Sequence, residues 1–223
     1  MPMNVLRTLP MNVLRTPIFA AFCLILTVLP ATVLAQVKPI DIELLKALRS
    51  GGHVVVLRHM LADPDKADTD PLNFRTIKTQ QPLTDQGKQS ARALGETWRE
   101  LGISFSEVLT SRFNRCYQTA VLAGFKAAKP VTELTEGSLV VSPNEQRRRA
   151  AFLRQLVVAP LAPGQNRLIV THRANIAHAF GKEWYEVKEG EASVFRVERG
   201  AYSLLARMPL DDWSRLLLIA NKS

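Results

Sequence analysis

The stretch "VVVLRHMLADPD", Val54–Asp65, runs an apolar, β-branched segment straight into an arginine and a histidine, then into an acidic, turn-prone segment. A short run that is apolar at every position marks a central strand buried on both faces. Arg58 and His59 therefore stand at the C-terminal end of a buried strand. In an open α/β sheet, that end is where loops converge and ligands bind. The placement of two cation-capable side chains there decides both the fold class and the kind of site expected.

Strand and helix patterns alternate on either side of this run. Before it, "DIELLKALRSGG" has Asp41 placed to cap a helix and Gly51 beyond its end. After it comes a long polar loop, Met60–Pro82, of a length that is usually functional or mobile. "LTDQGKQSARALGETWRELG" then opens on a capping Thr84 and sets Ala91, Leu94, Trp98 and Leu101 on one helical face. "FSEVLTS" reads as a strand, "RFNRCYQTAVLAGF" as a helix, and "SPNEQRRRAAFLRQLVVA" as a helix begun by Ser142, Pro143 and Glu145 in a capping-box pattern. "NRLIVTH" is a second buried strand ending in histidine, followed by a helix over "RANIAHAF". "EASVFRVERGAYSLLARM" reads as a hairpin turning at Arg199–Gly200. The expected fold is α/β, a three-layer α/β/α sandwich around a mainly parallel central sheet.

If the strands ending in Arg58–His59 and in His172 share one parallel sheet, both histidines emerge at the same edge. "EVLTS" ends there too, followed at once by Arg112 and Arg115 at the start of a helix, where exposed N–H groups and the dipole favour anions. Arginines, histidines and a helix end together describe a phosphate pocket. The formal charge of +9, to which Arg7 and Arg15 contribute two, suits an anionic partner. No basic run interleaved with aromatics is present, so nucleic acid is not an expected partner, and "QRRR", Gln146–Arg149, reads as a solvated helix face.

These motifs resemble those of the histidine phosphatase superfamily, which includes phosphoglycerate mutases and acid phosphatases. "LRHM" resembles its Arg-His-Gly signature, "PLTDQGKQSARALGETW" its L-T-x-x-G-x-x-Q-A helix, "VLTSRFNRCYQTA" its S-S-P-x-x-R-x-x-x-T-A motif, and "LIVTH" its second-histidine strand. The four occur in the family's order between Val54 and Ile176. The resemblance implies a phosphoglycerate mutase-like fold of branch 1 type. His59 would be the nucleophile that becomes a phosphohistidine, Arg58 and Arg115 would clamp the phosphate, and His172 would complete the pocket. Two departures bear on the substrate site. Met60 replaces the glycine, so the next loop must take another path or crowd the pocket, and Phe113 replaces the proline.

The family's mutase-like branch places a glutamate in an L-x-E pattern downstream of the second arginine, and "ELTEG" puts Glu136 there. Glu136 is the expected general acid, with Glu191 and Glu145 as alternatives. Among the remaining residues, His53, opening its strand, is expected to be structural, and His178 to be a core or surface histidine. Arg112 either joins the phosphate pocket or points to solvent, and Cys116 packs into its helix. Asp63, Asp65, Asp68 and Asp70 form an acidic loop that is either solvated or a lid over the substrate. No carboxylate–histidine cluster at ligand spacing suggests a metal, and the resemblance implies no metal or other cofactor.

Residues 1–35 read as a secretory signal peptide. Arg7 and Arg15 form a basic leader, an apolar segment follows, and Val33 and Ala35 precede a cleavage before Gln36. "PMNVLRT" occurs twice within it, at Pro2–Thr8 and Pro10–Thr16. Residues 36–223 then form a single catalytic domain with no stable membrane anchor and, with Cys116 the one remaining cysteine, no intramolecular disulfide. The expected protein is a secreted or periplasmic, metal-independent phosphomonoesterase. Its partner would be a small phosphorylated substrate or inorganic phosphate. A phosphomutase, a protein phosphohistidine phosphatase and a non-catalytic phosphate- or sugar-phosphate-binding domain are the alternatives.

Overall fold

The computed structural model describes residues 40–137 and 141–222; the expected signal peptide, with Cys23, lies outside them. Among the described residues no helix is long and apolar enough to cross a membrane. The elements run α1 (Ile42–Ser50), β1 (His53–Arg58), α2 (Asp85–Glu100), β2 (Glu107–Ser111), α3 (Asn114–Leu122), β3 (Lys129–Val131), α4 (Pro143–Val158), β4 (Arg167–Thr171), α5 (Arg173–Phe180), β5 (Ala192–Glu198), β6 (Ala201–Met208) and α6 (Leu210–Ala220).

The strands form one mixed sheet in the order β3-β2-β4-β1-β5-β6. β3, β2, β4 and β1 are mutually parallel, while β5 runs antiparallel to both β1 and β6. The register aligns Arg58 with Thr171 and Ser111 with Val131, so β1, β2, β3 and β4 all end at one edge. Because β5 is reversed, the segment that precedes it arrives at the same edge, with Ala192 opposite Leu57. This reversed strand, which no periodicity announces, completes the site described below.

Side-chain alternation along β1 divides the core into two layers. Val55 and Leu57 face a cluster with Leu45 of α1, Leu94 and Trp98 of α2, Ala120 of α3 and Trp213 of α6. Val54 and Val56 face a second cluster with Leu153 of α4 and Ile176 of α5. The sandwich is the one expected, with all four residues of the predicted α2 face, Ala91, Leu94, Trp98 and Leu101, fully covered. The hairpin turns at Arg199 and Gly200, both at positive φ (51° and 76°). α6 was not among the elements read from the sequence; it seals the first layer through Trp213, whose ring meets Trp98 edge-on at 5.4 Å.

Local caps follow the sequence closely. Asp41 Oδ1 accepts from the Leu44 amide, Thr84 Oγ1 from Gly87 and Ser142 Oγ from Glu145. Glu145 does not close the capping box, however, because its carboxylate turns to Arg148 and Arg149. Nor is "QRRR" a wholly solvated face, since Arg149 also donates to the Thr135 carbonyl at 2.7 Å. Gly87 is fixed by close approach: a Cβ there would sit 2.2 Å from the Leu61 carbonyl oxygen. A Gly87→Ala variant must push the loop after His59 away from α2. It is expected to cost about 1–3 kcal/mol by the ordinary price of overpacking, read as a lowered urea midpoint. A midpoint equal to wild type would contradict the packing described here.

Candidate active site

β1 delivers Arg58 and His59 to the shared edge, β4 delivers His172 and α3 delivers Arg115. The two imidazoles lie edge to face with centroids 5.2 Å apart, and both are buried. His59 Nδ1 sits 2.8 Å from the Met60 carbonyl oxygen, which can only accept, so Nδ1 carries the proton and Nε2 keeps its lone pair. His172 Nε2 lies 2.7 Å from Ser111 Oγ, which itself accepts from the Phe113 amide. The other ring nitrogen of His172, Nδ1, lies 3.4 Å from Glu136 Oε2.

Arg58 and Arg115 line the same pocket. Arg58 donates to the Val187 carbonyl at 2.8 Å and pairs with Glu189 Oε1 at 3.3 Å. Burial lowers its pKa and Glu189 opposes that shift, with the guanidinium remaining protonated. Arg115 is almost fully enclosed; its Nη1 donates to both oxygens of Asp68 at 3.0 Å, and its Nη2 lies 3.4 Å from Glu136 Oε2. The Phe113 ring stacks under this guanidinium at 4.4 Å and meets His172 edge-on at 5.6 Å. Phe113 fits the family's proline position because its φ of −65° as α3 N-cap is the value a proline would impose.

Met60 neither crowds the pocket nor distorts it. Its side chain is buried in the core layer that contains Leu83 and Leu94, and its amide donates to Thr119 Oγ1 at 3.1 Å. Gly190, at φ 77°, lies against it and donates to the carbonyls of Arg58 and His59.

The three candidate acids separate cleanly. Glu136 is in the pocket. Glu191 is not: its buried carboxylate accepts from Arg207 and from the Lys188 amide. Glu145 sits at the start of α4, where hydrogen bonds from Arg148 and Arg149 pull its pKa down to about 2, so it holds no proton to donate. The carboxylate that the reversed strand does bring to the nucleophile is Glu189, 3.9 Å from His59 Nδ1 and accepting from the Ala62 amide at 3.3 Å. Sequence reasoning passed over it for Glu191, its neighbour across Gly190. No sequence pattern separates the two, because both precede β5 and the chain turns between them at Gly190, φ 77°.

The acidic loop also divides. Asp68 is no solvated residue, since it holds Arg115 and accepts from the Gln81 amide at 2.9 Å. Arg112 lies outside the pocket with its guanidinium over the Phe74 ring at 4.8 Å. His178 is exposed at the end of α5. Cys116 is a buried free thiol whose pKa burial pushes up to about 12, which leaves it protonated and packed against His172. Among the described residues no group of three or more His, Cys, Asp or Glu is placed to hold a metal ion.

With this geometry in place, the comparisons with known proteins are direct. Residues 71–139 match the model of the histidine phosphatase superfamily (branch 1), a span that holds the Thr84–Gly87 cap, Arg115 and Glu136. The chain is similar to the protein histidine phosphatase SixA complexed with tungstate (20% identity over 72% of this chain and 98% of that one, TM-score 0.52). It is also similar to a phosphoserine phosphatase mutant from Entamoeba histolytica in complex with phosphoserine (13%, 72% and 98%, TM-score 0.54). A putative alpha-ribazole-5′-P phosphatase from Escherichia coli gives 19%, 71% and 97%, with a TM-score of 0.52. No curated protein matches in sequence. The fold is thus that of the histidine phosphatases, and the family match spans two of the four motifs, "PLTDQGKQSARALGETW" and "VLTSRFNRCYQTA".

Two expectations follow from the site's electrostatics. Burial first, then the charge of Arg115 and of Arg58, lowers His59 from 6.5 to about 3 against an opposing bond to the Met60 carbonyl. His172 is also held well below 6.5, by burial and then by Arg115, His59 and Arg58. Between those limits the unfolded chain binds protons that the folded chain refuses. The histidines' contribution is therefore complete above pH 6.5 and lost as pH falls towards about 3. Urea midpoints measured from pH 7 down to pH 4 should fall, and a His59→Gln variant should show a shallower fall; parallel curves would refute the buried neutral imidazole. Asp68 occupies the guanidinium that an incoming phosphate needs, so removing its charge should favour the anion. An Asp68→Asn variant is expected to bind inorganic phosphate about tenfold more tightly by calorimetry, the scale of one charge-assisted bond. Unchanged or weaker binding would show that Asp68 does not compete.

Proposed function

We propose that the protein is an exported, metal-independent phosphomonoesterase that works through a phosphohistidine intermediate on a small phosphate ester. The observation that carries this reading is the pairing of a neutral, Nδ1-protonated His59 with Arg58 and Arg115 in one buried pocket. A lone pair on Nε2 can attack phosphorus while the guanidiniums stabilise charge on the equatorial oxygens. His172 borders the same space. Attack makes the N–P bond and breaks the ester P–O bond, and the alcohol leaves with a proton. Water then breaks the N–P bond and returns His59 to its starting state, so one hard hydrolysis becomes two easier steps.

Glu136 is the proton donor in this scheme, because it alone of the three candidate acids contacts both Arg115 and His172. Met60, buried in the core, removes the reason for reading the site as a spoiled, binding-only pocket. Export rests on the leader at residues 1–35, and a location outside the cytoplasm favours a hydrolase over a mutase of central metabolism.

The test uses protein recovered from the secreted or periplasmic fraction, with its N-terminus sequenced and its activity assayed in excess chelator. The expected outcome is a chain starting at Gln36 that hydrolyses an aryl phosphate, with turnover abolished in His59→Ala. Glu136→Gln should slow an alkyl phosphate by about 10²–10⁴-fold and an activated aryl phosphate far less, because only the poorer leaving group needs its proton. Activity that survives His59→Ala, or that chelator removes, would sink the proposal.

A further inference from the structure

A second concavity of about 310 Å³ is lined by Phe74, whose ring meets Phe113 edge-on, and by Arg75, Ile77, Arg112, Asn114 and Tyr117 among others. That volume is at the lower end of the range for small-molecule sites, enough for one compact organic group. Its charge differs from that of the active site. There, Arg58 and Arg115 are each matched by carboxylates. Here, neither Arg75 nor Arg112 has an ion-pair partner among the described residues, and no acidic side chain lines the groove.

The walls are apolar and partly open. Ile77 is 58% exposed and Tyr117 half-buried, surface that an apolar body would cover at a gain. Arg112 is fixed at its base, its amide donating to Thr135 Oγ1 at 2.9 Å, and its guanidinium rests on Phe74. Stacked guanidiniums of this kind keep their in-plane N–H groups free for a planar anion.

The groove and the catalytic cluster are built from neighbouring parts of the same two segments, the loop before α2 and the start of α3. Arg112 and Asn114 flank Phe113, whose ring carries Arg115 on one side and meets Phe74 edge-on at 5.5 Å. The loop that supplies Phe74, Arg75 and Ile77 also supplies Asp68 to Arg115, and Gln80, whose Oε1 accepts from the Asn114 amide at 2.7 Å. One loop therefore borders both sites.

We infer that this groove is the leaving-group subsite, and that it selects phosphate esters whose leaving group has an apolar, planar body ending in a second anionic group, read by Arg75 and Arg112. The inference rests on the phosphomonoesterase reading and adds the substrate class to it.

A matched pair of substrates isolates the second anion: biphenyl-4-yl phosphate and its 4′-carboxy derivative. In the wild-type protein the carboxylate should lower KM about tenfold, the scale of one charge-assisted bond, with little change in kcat. In Arg112→Ala and in Arg75→Ala the KM ratio of the pair should collapse towards one. A ratio near one in the wild type, or a preference that survives both substitutions, overturns the groove. If the wild type turns over neither compound, the phosphomonoesterase reading fails instead. Calorimetry of the same pair then reads the groove alone: tighter binding of the carboxylate that is lost in both variants supports it, and equal affinities overturn it.

Discussion

One hydroxyl ties the catalytic halves together. Thr119 Oγ1 accepts the Met60 amide and donates to the Arg115 carbonyl at 2.7 Å, within a layer closed to water. The strand that ends in His59 and the helix that carries Arg115 are thereby held at one distance. A buried amide without that acceptor would be left unsatisfied, at a cost of about 1–3 kcal/mol, so the bond is strongly enforced. The Met60 carbonyl then fixes the His59 tautomer, and Met60 itself anchors in the core. Replacing the family's glycine by methionine is tolerable because the side chain turns away from the pocket into space beside Gly190.

Charge is arranged around this frame in an unusual balance. With both histidines neutral, two guanidiniums face Asp68, Glu136 and Glu189. A phosphate dianion entering such a site must displace a carboxylate or arrive with a proton. Asp68 is the one suited to yield, because it sits on a surface loop held by a few hydrogen bonds, whereas Glu189 is fixed by its neighbour Gly190 and by the Ala62 amide. Of the acidic loop, Asp68 is held by Arg115, while Asp65 and Asp70 stay exposed.

Much of this was legible in the sequence because it depends on local rules. All-apolar strands, capping residues and a positive-φ turn announced the sandwich and its edge, and strand direction alone predicted that His59 and His172 meet. What stayed hidden depends on long-range geometry. Glu189 reaches the nucleophile only because β5 is antiparallel, and no period-2 pattern states the direction of a strand. Asp68 meets Arg115 across 47 residues of chain through a loop without regular spacing. Glu191, just before a strand, looked able to reach the pocket from the sheet edge, but its buried carboxylate needs a partner and Arg207 of β6 supplies it.

The same reasoning separates what the family's chemistry demands from what this chain adds. Phosphoryl transfer needs a nucleophile, a clamp and a proton, and in the proposed reading these would come from rigid element ends whose positions the sheet dictates. Discrimination between esters must come from elsewhere, because every phosphomonoester presents the same phosphoryl group to that clamp. The loop between Met60 and Pro82 touches both Arg115, through Asp68, and the neighbouring groove, through Phe74 and Arg75. A leaving group that engaged Arg75, as proposed, would act on the segment that holds Asp68 in place. Substrate choice and access to Arg115 would then be coupled by a single length of backbone.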